Sequence, residues 1–228
     1  MTLESFETSI GVKFKDQGLL AQAFYHRSYL NEAKHIKESN ERLEFLGDAV
    51  LSFLTSRFLY KTFPQYPEGT LTNIRSSLVK TTTLGAIGKE LSFGDLLQVS
   101  KGEAESGGRK NPSLLADCFE AFLGALYLDQ GIDAAQKFLE TVLFPRTEEI
   151  VKTKSYIDFK SFLQEITQEM HKISPTYIVT KSEGPDHDRT FTIESSLLGK
   201  TLGSGTGKSK QEAEQAAAKN SLEQMGKL

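Results

Sequence analysis

The sequence predicts a multi-domain chain: an all-α domain over residues 1–148, a linker over 149–156, and a small α+β domain over 157–228. Three observations lead there. Up to Arg146, apolar residues recur at helical spacing and nothing alternates convincingly as a strand. Between Thr147 and Tyr156 the chain is charged and poor in core residues, as a linker would be. Beyond it, alternating runs stand between two helical patterns in the order α-β-β-β-α. A length of 228 residues is comfortable for two such domains.

In the first part, Leu3, Phe6 and Ile10 suggest a short amphipathic helix. Asp16 to Tyr25 carries Leu19, Leu20 and Phe24 on one face of a second. A polar stretch from Asn31 to Asn40 precedes a central helix, which must end near Phe63-Pro64. Pro64 to Gly69 reads as a loop, with Thr70 as the N-cap of a helix through Val79. Thr83 to Leu91 suggests another helix, and Ser100 to Pro112, with Gly107-Gly108, reads as a mobile loop. A strongly apolar helix from Leu114 to Leu128 closes at Asp129-Gln130-Gly131, and a last one runs from Ile132 to about Leu143.

In the second part, a helix from Asp158 to His171 turns Phe159, Phe162, Leu163 and Ile166 inward. Strands over Pro175 to Lys181 and Arg189 to Ser195 place Tyr177, Val179, Phe191 and Ile193 inward, and Leu198 to Gly203 pairs as a third. An Ala-rich helix from Ser209 to about Met225 completes the unit.

Composition narrows the function. Apolar content of 38%, with 15 Phe and no Trp, is enough for cores, and no long uncharged apolar run suggests a membrane span. Met1 to Glu7 lacks the layout of a signal peptide. The single Cys118 cannot form an internal disulfide, which fits a reducing, cytoplasmic setting. Net charge divides unevenly, −4 over residues 1–150 and +1 over 151–228. Any nucleic-acid argument must therefore rest on local clustering.

Chemistry concentrates on two helices. The central one opens Asn40-Glu41-Arg42-Leu43-Glu44-Phe45-Leu46-Gly47-Asp48-Ala49-Val50. At about 100° per residue, Glu41, Glu44 and Asp48 project within roughly 60° of one another. The apolar helix carries Asp117 and Glu120 three residues apart, with Cys118 pointing elsewhere. Like charges on one stripe repel, so either the stripe is a solvated face or a cation sits opposite. Spacing leaves both readings open. Were the helices packed together, oxygen-only ligation would favour Mg²⁺ or Mn²⁺ over zinc.

The stretch Asn40 to Val50 resembles the signature motif of the ribonuclease III family. His26-Arg27-Ser28-Tyr29, Pro67-Glu68-Gly69 with Arg75-Ser76, and Leu114 to Gly131 agree with it. The tail is similar to the family's double-stranded RNA-binding domain, through Phe162 to Glu165, Gly184 to His187, and the Gly-Thr-Gly-Lys-Ser-Lys stretch ending at Lys210. The resemblance spans nearly the whole chain, in a layout of one nuclease domain and one RNA-binding domain. It implies an all-α endonuclease domain that hydrolyses double-stranded RNA with Mg²⁺, Mn²⁺ being a substitute. The products would carry 5′-phosphate and 3′-hydroxyl ends with a short 3′ overhang. Substrates would be ribosomal RNA precursors and structured messenger RNA.

Residue by residue, the resemblance implies Glu44, Asp48, Asp117 and Glu120 as metal ligands. Asp48 and Glu120 are the first choices for catalysis, with Glu41 and Glu68 as further acidic groups of the catalytic valley. It also implies a homodimer, with Phe45 inserted into the partner, although a core role for Phe45 is equally compatible with spacing. No organic cofactor is implied. Duplex RNA is read by shape across two minor grooves and the major groove between them. Gln164 and Glu165, with Gly184, Pro185, Asp186 and His187, would address the minor grooves, and Lys208 and Lys210 the phosphates. Gln211 stands where a second consecutive basic residue is common, which predicts weaker phosphate binding. Two other readings are a non-catalytic RNA-binding protein, against which the full set of acids speaks, and a hydrolase of small phosphate esters.

Overall fold

A computed structural model describes residues 1–185 and 188–228, in two compact units, 1–156 and 157–228. The first is helical: α1 (Leu3–Ile10), α2 (Gln17–Ala23), α3 (Glu41–Thr62), α4 (Glu68–Val79), α5 (Thr81–Glu90), α6 (Phe93–Leu96), α7 (Lys101–Glu105), α8 (Pro112–Gln130), α9 (Ile132–Val142) and α10 (Arg146–Thr153). A 3₁₀ turn, Arg27–Asn31, follows α2. Side-chain caps start several helices, among them Thr2 on α1, Asp16 on α2 and Asn111 on α8.

The axis of this unit is α8. It is apolar nearly all round, and Leu115, Cys118, Phe119 and Ala121 to Leu126 are buried, as expected of a helix enclosed by others. Against it stands a cluster of phenylalanines. Phe6 packs edge-on against Phe24, Phe93 and Phe122 at 5.5–5.6 Å between ring centroids, which explains much of the Phe-rich composition.

Three expectations are corrected in this unit. Helix α4 begins at Glu68 rather than after Thr70, because Pro67, extended at φ −67° and ψ 160°, already serves as the N-cap residue. Ser100 to Pro112 is ordered: the Ser100 side chain accepts from the Glu103 N–H to start α7, and a 3₁₀ turn over Gly108–Lys110 leads into α8. The stretch read as a linker is largely α10. Thr147 is buried, and Ile150, Val151 and Tyr156 pack on the helical core, a face hidden in the sequence among charged neighbours.

The second unit consists of α11 (Phe159–His171), an antiparallel sheet of β1 (Thr176–Glu183), β2 (Thr190–Leu197) and β3 (Lys200–Gly207) in that order, and α12 (Lys210–Gln224). Strand β3 extends to Gly207 rather than Gly203. Its glycines form the surface on which α12 lies: a Cβ on Gly205 would fall 2.2 Å from the Ala217 nitrogen. Ala213 and Ala217 complete this close contact. Ile193 is buried as expected, whereas Val179 is exposed, because β1 is an edge strand with an irregularity in register between Val179 and Lys181.

Candidate active site

The site is built where α3 crosses α8. Two glycines set the crossing. A Cβ on Gly47 would lie 1.8 Å from the Glu120 carbonyl oxygen, and one on Gly124 would lie 2.2 Å from that of Leu43. No other residue permits the two backbones to approach so closely. Glu44 and Asp48 flank Gly47, and Asp117 and Glu120 precede Gly124 on the facing helix, so the crossing brings the two acidic pairs together.

Their electrostatics report the proximity. Burial, then Asp48, Glu44 and Asp117, pushes the Glu120 carboxyl up to about 8. Burial raises Glu44 as well, followed by Asp117, Glu41 and Asp48. Asp117 is raised by burial, an effect offset in part by His26. Among the described residues, none of these four side chains has a hydrogen bond or an ion pair. Nor do three His, Cys, Asp or Glu side chains converge there into a ready-made metal cage. Glu44 and Glu120 thus carry the repulsion of neighbouring carboxylates on top of burial. An all-oxygen set with unrelieved repulsion fits a hard divalent cation.

The N-terminal side of the site is closed by residues 23–28. Asn40, buried just before α3, donates from Nδ2 to the Ala23 carbonyl at 3.1 Å and from its backbone N–H to that of Tyr25 at 2.8 Å. The Cys118 thiol, turned away from the acids, contacts the Ala23 carbonyl at 3.6 Å, and burial raises its pKa strongly. Backbone bonds from His26 to Gln98 and from Gln98 to Phe24 hold the other edge. His26 Nδ1 lies 2.8 Å from Ser28 Oγ, which accepts from the Ser100 N–H at 2.9 Å.

Two predicted site residues lie elsewhere. Glu68, at the start of α4, accepts from Thr72 Oγ1 at 2.9 Å and lines a cavity of about 640 Å³ with Phe53, Tyr60 and Arg75, away from the four carboxylates. Phe45 is 82% exposed, so it is not a core residue within one copy of the chain, and Tyr60 is 76% exposed on the same helix. Glu41 does adjoin the site, exposed and electrostatically felt at Glu44.

In the second unit, Gln164 and Glu165 are exposed on α11, and Gly184 and Pro185 are exposed after β1. Gly184 has φ +96°, and a Cβ there would come within 2.7 Å of the Asp188 carbonyl oxygen, so the loop requires glycine. Asp186 and His187 lie outside the described residues. Lys208 and Lys210 are exposed at the start of α12, but Lys208 is paired with Asp188 at 2.5 Å. The helix start is also capped, Ser209 Oγ accepting from the Glu212 N–H and Glu212 Oε2 from the Lys208 N–H. A phosphate arriving there would compete with these groups.

Residues 16–147 match the family described as Ribonuclease-III-like, and residues 159–225 match the Double-stranded RNA binding motif. The chain belongs to the ribonuclease III family. It is 49% identical over 225 residues to Ribonuclease 3 of Bacillus velezensis, covering 98% of this chain and 90% of that one. Ribonuclease 3 of Enterococcus faecalis is 49% identical over 213 residues, covering 93% and 92% respectively. The solved nuclease domain of ribonuclease III from Campylobacter jejuni, with a region involved in dimer formation, superposes with a TM-score of 0.58 at 36% identity, covering 63% of this chain and 99% of that one.

This ribonuclease III family member is an endoribonuclease for double-stranded RNA, and its family depends on divalent metal. None of its described helices is long and apolar enough to cross a membrane. Sequence reasoning singled out the acids but passed over Gly47 and Gly124. An isolated glycine inside a helical pattern was the available signal, since it often marks a close backbone approach.

Proposed function

We propose that Glu44, Asp48, Asp117 and Glu120 hold Mg²⁺, with Mn²⁺ as a substitute, and that this centre hydrolyses phosphodiester bonds of duplex RNA. Four carboxylates that, among the described residues, have no ion pair, held by the Gly47–Gly124 crossing, carry this reading. A divalent metal held there would supply a water of lowered pKa and charge stabilisation at the phosphate and the leaving 3′ oxygen. Asp48 and Glu120 orient the reacting groups from opposite helices, and Glu41 adds negative charge at the edge of the site. Burial and the neighbouring carboxylates favour the protonated form of Glu120, an effect that a bound cation would oppose.

The exposed Phe45 and the cavity beside Phe53 and Tyr60 support a homodimer through α3. In such a pair Glu68 joins the valley from the neighbouring copy. The second unit reads the duplex through Gln164, Glu165, the loop 184–187, Lys208 and Lys210, with a weakened phosphate contact at Gln211. Products carry 5′-phosphate and 3′-hydroxyl ends with a short 3′ overhang, from ribosomal RNA precursors and structured messenger RNA in the cytoplasm.

The test uses a labelled RNA duplex, a single strand and a small phosphodiester, each with Mg²⁺ and with EDTA. Cutting of the duplex alone, dependent on Mg²⁺ and lost in D48N and E120Q while their duplex binding persists, is expected. Binding without cutting, or cutting of the small ester alone, would refute it.

A further inference from the structure

Beside the acids, among the described residues, stands Arg27, an exposed cation held only by a long ion pair. Arg27 begins the 3₁₀ turn whose frame is tied to Asn40 on one side and to Gln98 and Ser100 on the other, so its backbone is fixed. Its guanidinium Nη1 reaches to 3.9 Å from Glu41 Oε1, with 74% of the side chain exposed. A long, solvated pair of this kind contributes little to stability. Glu41 does not depend on it either, because its other oxygen accepts from Ser39 Oγ at 2.8 Å. The adjacent Arg42 is directed at Glu38 instead.

The chemistry of the site gives Arg27 a use. Five carboxylates, Glu41, Glu44, Asp48, Asp117 and Glu120, oppose a strand that carries a negative charge at every phosphate. Cations held by the carboxylates serve the reacting phosphate. The neighbouring phosphates still need a partner that belongs to the protein. A guanidinium is suited to this, since its planar fork matches two phosphate oxygens. We propose that Arg27 binds a backbone phosphate flanking the reacting one, exchanging Glu41 for that phosphate when duplex RNA arrives. The fixed frame beneath it then sets the strand in register against the carboxylates. This rests on the reading above, that the α3–α8 acids form the cleavage centre.

The experiment measures initial rates of duplex cleavage in Mg²⁺ across a range of salt, for the full chain and its R27Q, R27K and K137Q variants. Lys137 lines a cavity with residues of α1 and serves as a matched loss of charge elsewhere. R27Q is expected to lower kcat/KM roughly tenfold, mainly through KM, with an unchanged melting temperature. It should also flatten the dependence of log kcat/KM on log salt by about 0.7–0.9, the value of one phosphate contact. R27K should restore the slope and part of the affinity, and K137Q should keep both. An unaltered R27Q overturns the proposal, as does a fall in kcat with the slope intact, which would mean that Arg27 acts through Glu41. Equal flattening in K137Q overturns it too, as an effect of net charge. A wild-type chain that does not cut duplex RNA removes the cleavage reading itself, and Arg27's role with it.

Discussion

Replacing Gly47 by alanine should damage the metal centre without touching an acid. The added Cβ would stand 1.8 Å from the Glu120 carbonyl oxygen, 2.6 Å from its carbon and 3.0 Å from the Gly124 nitrogen. Real Cβ atoms essentially never come within 3.0 Å of such atoms, so α3 and α8 must separate by at least about 1.2 Å at the crossing. Overpacking of this sort costs about 1–3 kcal/mol or more, whereas alanine in a helix recovers up to about 1 kcal/mol over glycine. The net loss is therefore up to about 2 kcal/mol, at most roughly 4–8 °C in melting temperature for a unit of this size. The chemical cost is larger. Mg²⁺ holds its ligands at about 2.0–2.1 Å in near-octahedral geometry, which cannot follow a separation of that size. The Mg²⁺ concentration for half-maximal cleavage should rise by about 10- to 100-fold, the scale of disturbed support around metal ligands. Thermal melts in EDTA and Mg²⁺ titrations of duplex cleavage measure the two effects. G102A is the control, since a Cβ at Gly102 meets nothing within 4 Å. A G47A variant with wild-type melting and Mg²⁺ midpoint would refute the crossing as the determinant. One that loses stability but keeps its midpoint would refute its link to the metal.

Two further predictions concern charge and capping. Without metal, Glu120 keeps its proton up to about pH 8 in the folded chain and loses it near 4.5 when unfolded, so its contribution is complete below 4.5 and disappears as pH rises through 8. Melting in EDTA should fall across that window by about 2 kcal/mol, once solvent access to the group is allowed for, and E120Q should flatten the profile. In the second unit, Asp158 accepts from the Ser161 N–H at 3.1 Å and from Gln215 Nε2 at 2.7 Å, joining the start of α11 to α12. D158A should cost that unit about 1–2 kcal/mol in denaturant melts, with the nuclease unit's transition unchanged.

The sequence by itself determined the longer helices, the order of the second unit and the identity of the acids. Helical spacing made the Glu41, Glu44 and Asp48 stripe legible, and the apolar run from Leu114 identified a buried helix, because both are periods of 3.6 residues carried within one element. The motif from Asn40 to Val50 carried the family. Spacing left open whether a cation or solvent faced the acids, and only the tertiary structure joined the two pairs, through Gly47 and Gly124. The same holds for Gly205 and Gly207, placed beyond the third strand and found in β3 beneath α12, and for Ile150 and Val151, read as linker and found packed on the core. In each case the deciding contact lies between elements distant in the chain. A residue's propensity reports the backbone it prefers, but which backbone comes to lie against it is settled by packing alone.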